Sequence, residues 1–129
     1  MAQLRDIMTT KVLTTSAERP VAEVTGMMVK ARVGSAIILQ GSWLAGILTE
    51  RDVLRAAASR LDLTTSPVSQ WMTRDPVTAS PDTTTEEAAH LMLTNGFRHL
   101  PVVEGRSLTG VVSIRDVLAS GIRRRRTPE

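Results

Sequence analysis

The sequence predicts a mixed α/β (α+β) protein made of two consecutive β-α-β-β-α units, and three observations lead there. The chain matches itself without a gap when slid by 64 positions, Met8 to Leu54 falling on Met72 to Leu118. Identical pairs on that diagonal include Met8/Met72, Thr9/Thr73, Thr14/Thr78, Met28/Met92, Gly41/Gly105, Leu44/Leu108 and Gly46/Gly110. Apolar residues then recur at helical spacing once in each copy, and each helical stretch is followed by two short apolar runs separated by a glycine turn. A unit of roughly 60 residues buries only about 60% of its unfolded surface. The two copies are therefore expected to pack as one body about a pseudo-twofold axis.

Each copy opens on a short extended piece, Val12 to Thr14 or Pro76 to Thr78. In the first helix, Val21, Val24, Met28 and Ala31 form the apolar stripe, and Pro20 stands at its opening, where a missing N–H costs nothing. The second copy places Thr83 and Glu86 as a capping box before Ala88, Leu91 and Met92, and Asn95-Gly96 ends the helix. The β runs are Ala36 to Leu39 with Trp43 to Leu48, and Leu100 to Val103 with Leu108 to Val112. Gln40-Gly41-Ser42 and Glu104-Gly105-Arg106 supply the turns. A closing helix spans about Glu50 to Ser59 in one copy and Ile114 to Ile122 in the other. The domain reading is repeat 1 over 1–60, a Ser/Thr-rich linker with Pro67 over 61–70, repeat 2 over 71–122, and a basic, disordered tail over 123–129.

Composition sets the outer bounds. Hydrophobic residues make up 42% of the 129 and aromatics only 2%, so the core must be aliphatic. No apolar run reaches membrane-spanning length, no signal-peptide layout opens the chain, and cysteine is absent. These features point to a cytoplasmic protein without disulfides or thiolate metal sites. The net charge of +3 misleads, because Arg123 to Arg126 form one run and the remaining 12 basic residues face 13 acidic ones.

The stretch that carries chemistry also occurs twice, as Gly46-Ile47-Leu48-Thr49-Glu50-Arg51-Asp52 and Gly110-Val111-Val112-Ser113-Ile114-Arg115-Asp116. An apolar strand passes a hydroxyl and reaches an Asp in the first turn of a helix. Unpaired N–H groups and a partial positive charge at a helix start suit a phosphate beside Thr49 or Ser113. Asp52 or Asp116, on the same face, could accept both hydrogens of a ribose diol. The competing reading is a capping box, although Asp is shorter than the Glu or Gln such boxes prefer.

Tandem β-α-β-β-α units that open with Met-Thr and close with Gly-x-x-Thr/Ser-x-x-Asp resemble a cystathionine-β-synthase (CBS) domain pair, the Bateman module, from about Leu4 to Ile122. Arg98-His99-Leu100-Pro101-Val102-Val103 belongs to the same resemblance. It implies a ribose-holding role for Asp52 and Asp116 and a phosphate-side hydroxyl at Thr49 and Ser113. It further implies base contacts from the neighbourhoods of Val12 to Thr14, of Pro76 to Thr78 (Val77 among them), of Val33 to Ala36 and of Phe97 to Leu100. Ligand contacts are thereby expected at Val12, Thr14, Ser35, Val77 and Thr78. Basic residues before the Leu-Pro-Val run, here Arg98 and His99, are implied to bind phosphate. The first copy has Gly34, Ser35 and Ile37 instead, with only Arg32 nearby, so one cleft should suit a phosphate better.

The resemblance implies a stand-alone regulatory module for an adenosine nucleotide (AMP, ADP or ATP) that needs no cofactor and changes conformation or partner binding on occupancy. Catalysis finds no support, since paired acids, an activated nucleophile and metal ligands are all missing. Two separated histidines make zinc a poor expectation, and His90 reads as solvent-facing. Arg51 and Arg115 could reach phosphates, whereas Trp43, Trp71, Met8 and Met72 read as packing residues. Surplus apolar residues Met27, Val29, Ala89 and Leu93 predict oligomerisation, and the resemblance implies that it is a homodimer. The alternatives are a ligand-free scaffold module acting on an unknown regulated protein, and weak nucleic-acid attachment through Arg123 to Arg126.

Overall fold

Alternation of apolar runs, helical stripes and glycine turns produces twelve short elements in the computed structural model, which describes residues 2–126, the side chains of 124–126 excepted. In order they are α1 (Leu4–Ile7), β1 (Thr14–Ser16), α2 (Val21–Ala31), β2 (Ser35–Gln40), β3 (Trp43–Thr49), α3 (Glu50–Ala58), a 3-10 turn (Val68–Gln70), β4 (Thr73–Arg74), α4 (Thr85–Asn95), β5 (His99–Glu104), β6 (Ser107–Ser113) and α5 (Ile114–Arg126). The chain folds into two units, one of them Val12–Pro76, the other formed by the chain before Val12 together with the chain after Pro76.

In the first unit β1 lies parallel to β2, and β2, β3 and β4 run antiparallel in the sheet order β1-β2-β3-β4. The second unit repeats this plan with its edge strands reduced to single bridges. Ala79 pairs with Val102 as Thr15 pairs with Ile38, and Thr9 pairs with Val111 as Thr73 pairs with Ile47. Gly41 and Gly105, each at φ 63, open two-residue hairpin turns whose first position demands a left-handed backbone. Each hairpin also carries a register shift, between Ile38 and Leu39 and between Val102 and Val103.

Helix boundaries follow local chemistry, with one displacement. α4 is capped by Thr84, whose Oγ accepts the Glu87 amide at 3.1 Å, one residue later than the Thr83/Glu86 box expected from sequence. Thr83 Oγ instead accepts the Ser80 amide and closes the preceding turn. α2 and α4 both end on a left-handed residue, Arg32 in one and Gly96 in the other. α5 continues through Arg126, so the first four residues of the expected tail are helical, and residues 127–129 lie outside those described.

Packing ties the segment read as a linker to the core of the first unit. Residues 61–70 carry Ser66, which accepts the Val21 amide, and Val68, fully buried in the core with Val24, Met28, Ile38 and Leu48. Asp62 turns the loop, taking hydrogen bonds from the Thr64 hydroxyl and amide that hold its carboxyl below the ordinary range. Leu4 is the counterpart of Val68, fully buried with Ala88, Met92, Leu100 and Val112. Ala36, Ile37 and Ile38 are all fully buried, so both faces of β2 are covered, which explains an unbroken apolar run where a one-sided strand would alternate.

The repeated Met-Thr and Gly positions have one physical cause. A Cβ on Gly46 would lie 2.7 Å from the Thr73 carbonyl oxygen and 2.8 Å from Met72 Sδ, and one on Gly110 would lie 2.8 Å from the Thr9 oxygen and 2.9 Å from Met8 Sδ. Each unit is thus closed by the Met-Thr segment that sequence periodicity assigns to the other copy. Glycine is required for that approach.

Candidate functional site

Both strand-to-helix turns form because β3 and β6 hand an extended hydroxyl residue directly to a helix. Thr49 and Ser113 have the N-cap position, and the backbone just before each hairpin closes on the helix start. The Gly34 carbonyl accepts the Glu50 amide at 3.1 Å, and the Arg98 carbonyl accepts the Ile114 amide at 2.9 Å. Ser35 stands opposite Thr49 in the strand register, and His99 stands opposite Ser113. The first unit therefore brings together Ser35, Thr49 and Asp52, while the second brings together Arg98, His99, Ser113 and Asp116.

Side-chain chemistry separates the two turns. In the first, Asp52 is 5% exposed and its Oδ2 accepts both the Thr49 amide at 2.9 Å and the Thr49 hydroxyl at 3.1 Å. Its Oδ1 accepts Arg55 Nη1 at 3.2 Å, and the Arg55 guanidinium lies over the Trp71 ring, 5.7 Å from its centroid. The capping box expected as the competing reading is present in both turns, since the Ser113–Asp116 pair makes the same two reciprocal bonds. In the second turn, Asp116 is half-buried, and Oδ2 accepts the Ser113 amide at 2.9 Å. Ser113 Oγ accepts the Asp116 amide at 3.0 Å, which leaves its own proton free to point outward. Among the described residues Asp116 Oδ1 has no hydrogen-bond partner, and neither does the Arg115 amide in the first helical turn.

Charge follows the same asymmetry. Arg98 is exposed, and its guanidinium makes no ion pair with the described residues, while the equivalent backbone position in the first unit is Gly34. Arg32, the only cation expected near that turn, is an exposed C-cap of α2. Among the expected base-contact positions, Val12 is half-buried in the first unit and Thr14 is exposed on β1. Val77 and Thr78 are exposed in the second unit and belong to no strand. The signal that reading by motif missed is Arg55 with Trp71. Its trace is departure from the repeat, because the corresponding residues are Ala119 and Ile7.

No group of three or more His, Cys, Asp or Glu among the described residues is arranged to hold a metal ion. No helix among them is long and apolar enough to cross a membrane.

Fold and turns together define a tandemly duplicated α/β module with one hydroxyl–carboxylate turn per unit. The chain belongs to the CBS domain family, whose profile matches residues 4–59 and 68–122. It is 38% identical over 117 residues to an uncharacterized 17.7 kDa protein of Acidianus ambivalens, covering 89% of this chain and 70% of that protein. It is 35% identical over 118 residues to the CBS domain-containing protein YhcV of Bacillus subtilis, covering 91% and 84%. Among solved structures it resembles the CBS domain protein PAE2072 of Pyrobaculum aerophilum complexed with AMP, at 27% identity and a TM-score of 0.83, covering 94% of this chain and 98% of that one.

Proposed function

We propose that this protein is a cytoplasmic, non-catalytic regulatory module that binds an adenine nucleotide and couples occupancy to conformation or to partner binding. The observation that carries the reading is the second turn. There, among the described residues, a carboxylate with an unused oxygen, a hydroxyl with an unassigned proton and an unpaired first-turn amide stand together, beside a backbone segment whose guanidinium makes no ion pair. Asp116 Oδ1 takes the sugar hydroxyls, while Ser113, the Arg115 amide, Arg98 and His99 face the phosphate. Val77 and Thr78 border the base. The AMP complex of a relative with the same fold supports this choice of ligand.

The mechanism is linkage. Nucleotide shifts the protein toward the state that it binds more tightly, by no more than its differential affinity for the two states. A ligand of AMP size at roughly 0.3 kcal/mol per heavy atom gains about 7 kcal/mol, a Kd on the order of 10 μM. A thermal-shift panel of AMP, ADP, ATP and S-adenosylmethionine tests the reading. At a hundredfold excess over Kd the linkage is about 2.7 kcal/mol, a rise of a few degrees in Tm. No shift with any of the four would favour the second reading, a ligand-free scaffold. The capping box completed in both turns speaks for that alternative.

We further propose a homodimer. Val29 is 73% exposed and Leu93 76% exposed at equivalent positions of α2 and α4, and the equivalent Leu54 and Leu118 are exposed too. Repetition of exposed leucine and valine in both units is expected of a face selected for burial. Val29→Asp with Leu93→Asp should convert a sedimenting dimer to monomer at micromolar concentration, and an unchanged sedimentation coefficient would refute the assignment.

A further inference from the structure

We infer that Arg55 is a specificity-determining residue that withdraws Asp52 from ligand, so that each chain takes one nucleotide, in the unit carrying Ser113 and Asp116. The inference rests on the nucleotide reading above and adds to it which turn is filled and why. A carboxylate offers about four acceptor positions. At Asp52 three are taken, by the Thr49 amide, the Thr49 hydroxyl and Arg55 Nη1. One remains, and a ribose diol needs two. At Asp116 the Ser113 amide takes one, which leaves enough for both hydroxyls.

The Arg55 side chain is placed to stay where it is. Trp71 packs against the core of the first unit and supports the guanidinium over its ring face, while the Asp52 side chain, 8% exposed, has little water to replace the cation. The Thr49 proton is likewise spent on Asp52, so this turn keeps no hydroxyl donor for phosphate. Replacement of Arg55 by Ala119 and of Trp71 by Ile7 in the second unit removes ring and guanidinium together. Arg55 is itself 60% exposed, so cutting it back need not disturb the fold.

Titration calorimetry with AMP on the wild type and on Arg55→Ala, Asp116→Ala and the double variant tests this. One equivalent per chain is expected for the wild type, two for Arg55→Ala, none for Asp116→Ala and one for the double variant. Two equivalents in the wild type, or one in Arg55→Ala, would overturn the inference. If the wild type binds none and Arg55→Ala binds one, Arg55 does block Asp52 but the choice of the Asp116 turn falls. Absence of binding to every variant overturns the nucleotide reading itself, and a ligand-free stability cycle then decides on Arg55 alone. In that cycle Asp52→Asn and Arg55→Ala together should lower Tm by at least about 2 °C less than the sum of the single losses. Additive losses would mean that the pair is not coupled.

Discussion

The two units share a backbone plan down to equivalent bridges, yet their strand-to-helix turns have opposite chemical characters. In the first, acceptors and donors are consumed internally by Thr49, Asp52 and Arg55. In the second, the same positions leave Asp116 Oδ1 and the Arg115 amide without a partner among the described residues and put Arg98 where the first has Gly34. Duplication preserved what packing demands, and it left free what only the turn requires. A capping box and a binding turn are thus one backbone arrangement with different neighbours. Four residues, at 34, 35, 55 and 71, separate the two outcomes.

The largest expected effect tests that contrast directly. Asp116→Ala should weaken AMP binding about a hundredfold, the loss of two hydrogen bonds to a charged group, while Asp52→Ala leaves Kd within about threefold. Fluorescence or calorimetric titration checks it, and the reverse ranking would exchange the roles of the turns. Packing should treat the units alike. Gly46→Ala and Gly110→Ala should each lower unfolding free energy by about 2 kcal/mol in urea, because the facing atoms include a carbonyl oxygen that cannot yield. A large cost in one unit with none in the other would show that the closures are not equivalent.

Smaller effects sharpen the comparison. Arg98→Ala should raise the Kd for AMP about tenfold and leave adenosine binding unchanged, since the guanidinium addresses phosphate. Equal losses for both ligands would place Arg98 elsewhere. Thr84→Ala should cost about 1 kcal/mol in unfolding free energy by removing the α4 cap. Thr83→Ala, at the position favoured by sequence spacing, serves as the control, and a larger loss there would restore the earlier frame.

Much of the architecture was legible because its causes are local. Gly41 and Gly105 announce hairpins by turn chemistry, and Gly96 ends α4 as expected. Val21, Val24 and Met28 are buried at helical spacing as their periodicity requires. The α4 cap was misjudged by one residue because Thr83, Thr84 and Thr85 are chemically interchangeable there, and only the Ser80 amide decides which hydroxyl is free to cap. The segment read as a linker shows a related effect. A Ser/Thr-rich stretch with proline reads as connecting chain, whereas Val68 within it is drawn into the core.

By itself the sequence determined that the chain is duplicated, the order of elements within each copy, and the recurrence of a hydroxyl three residues before an aspartate, since these reside in spacing along the chain. Only the tertiary structure decided which Met-Thr closes against which glycine and that Arg55 lies between Asp52 and the Trp71 ring. The glycine pairing joins segments distant in sequence, and the Arg55 arrangement depends on where side chains point once the backbone is folded. A linear pattern encodes neither, because the energies that select them exist only after the distant segments have met.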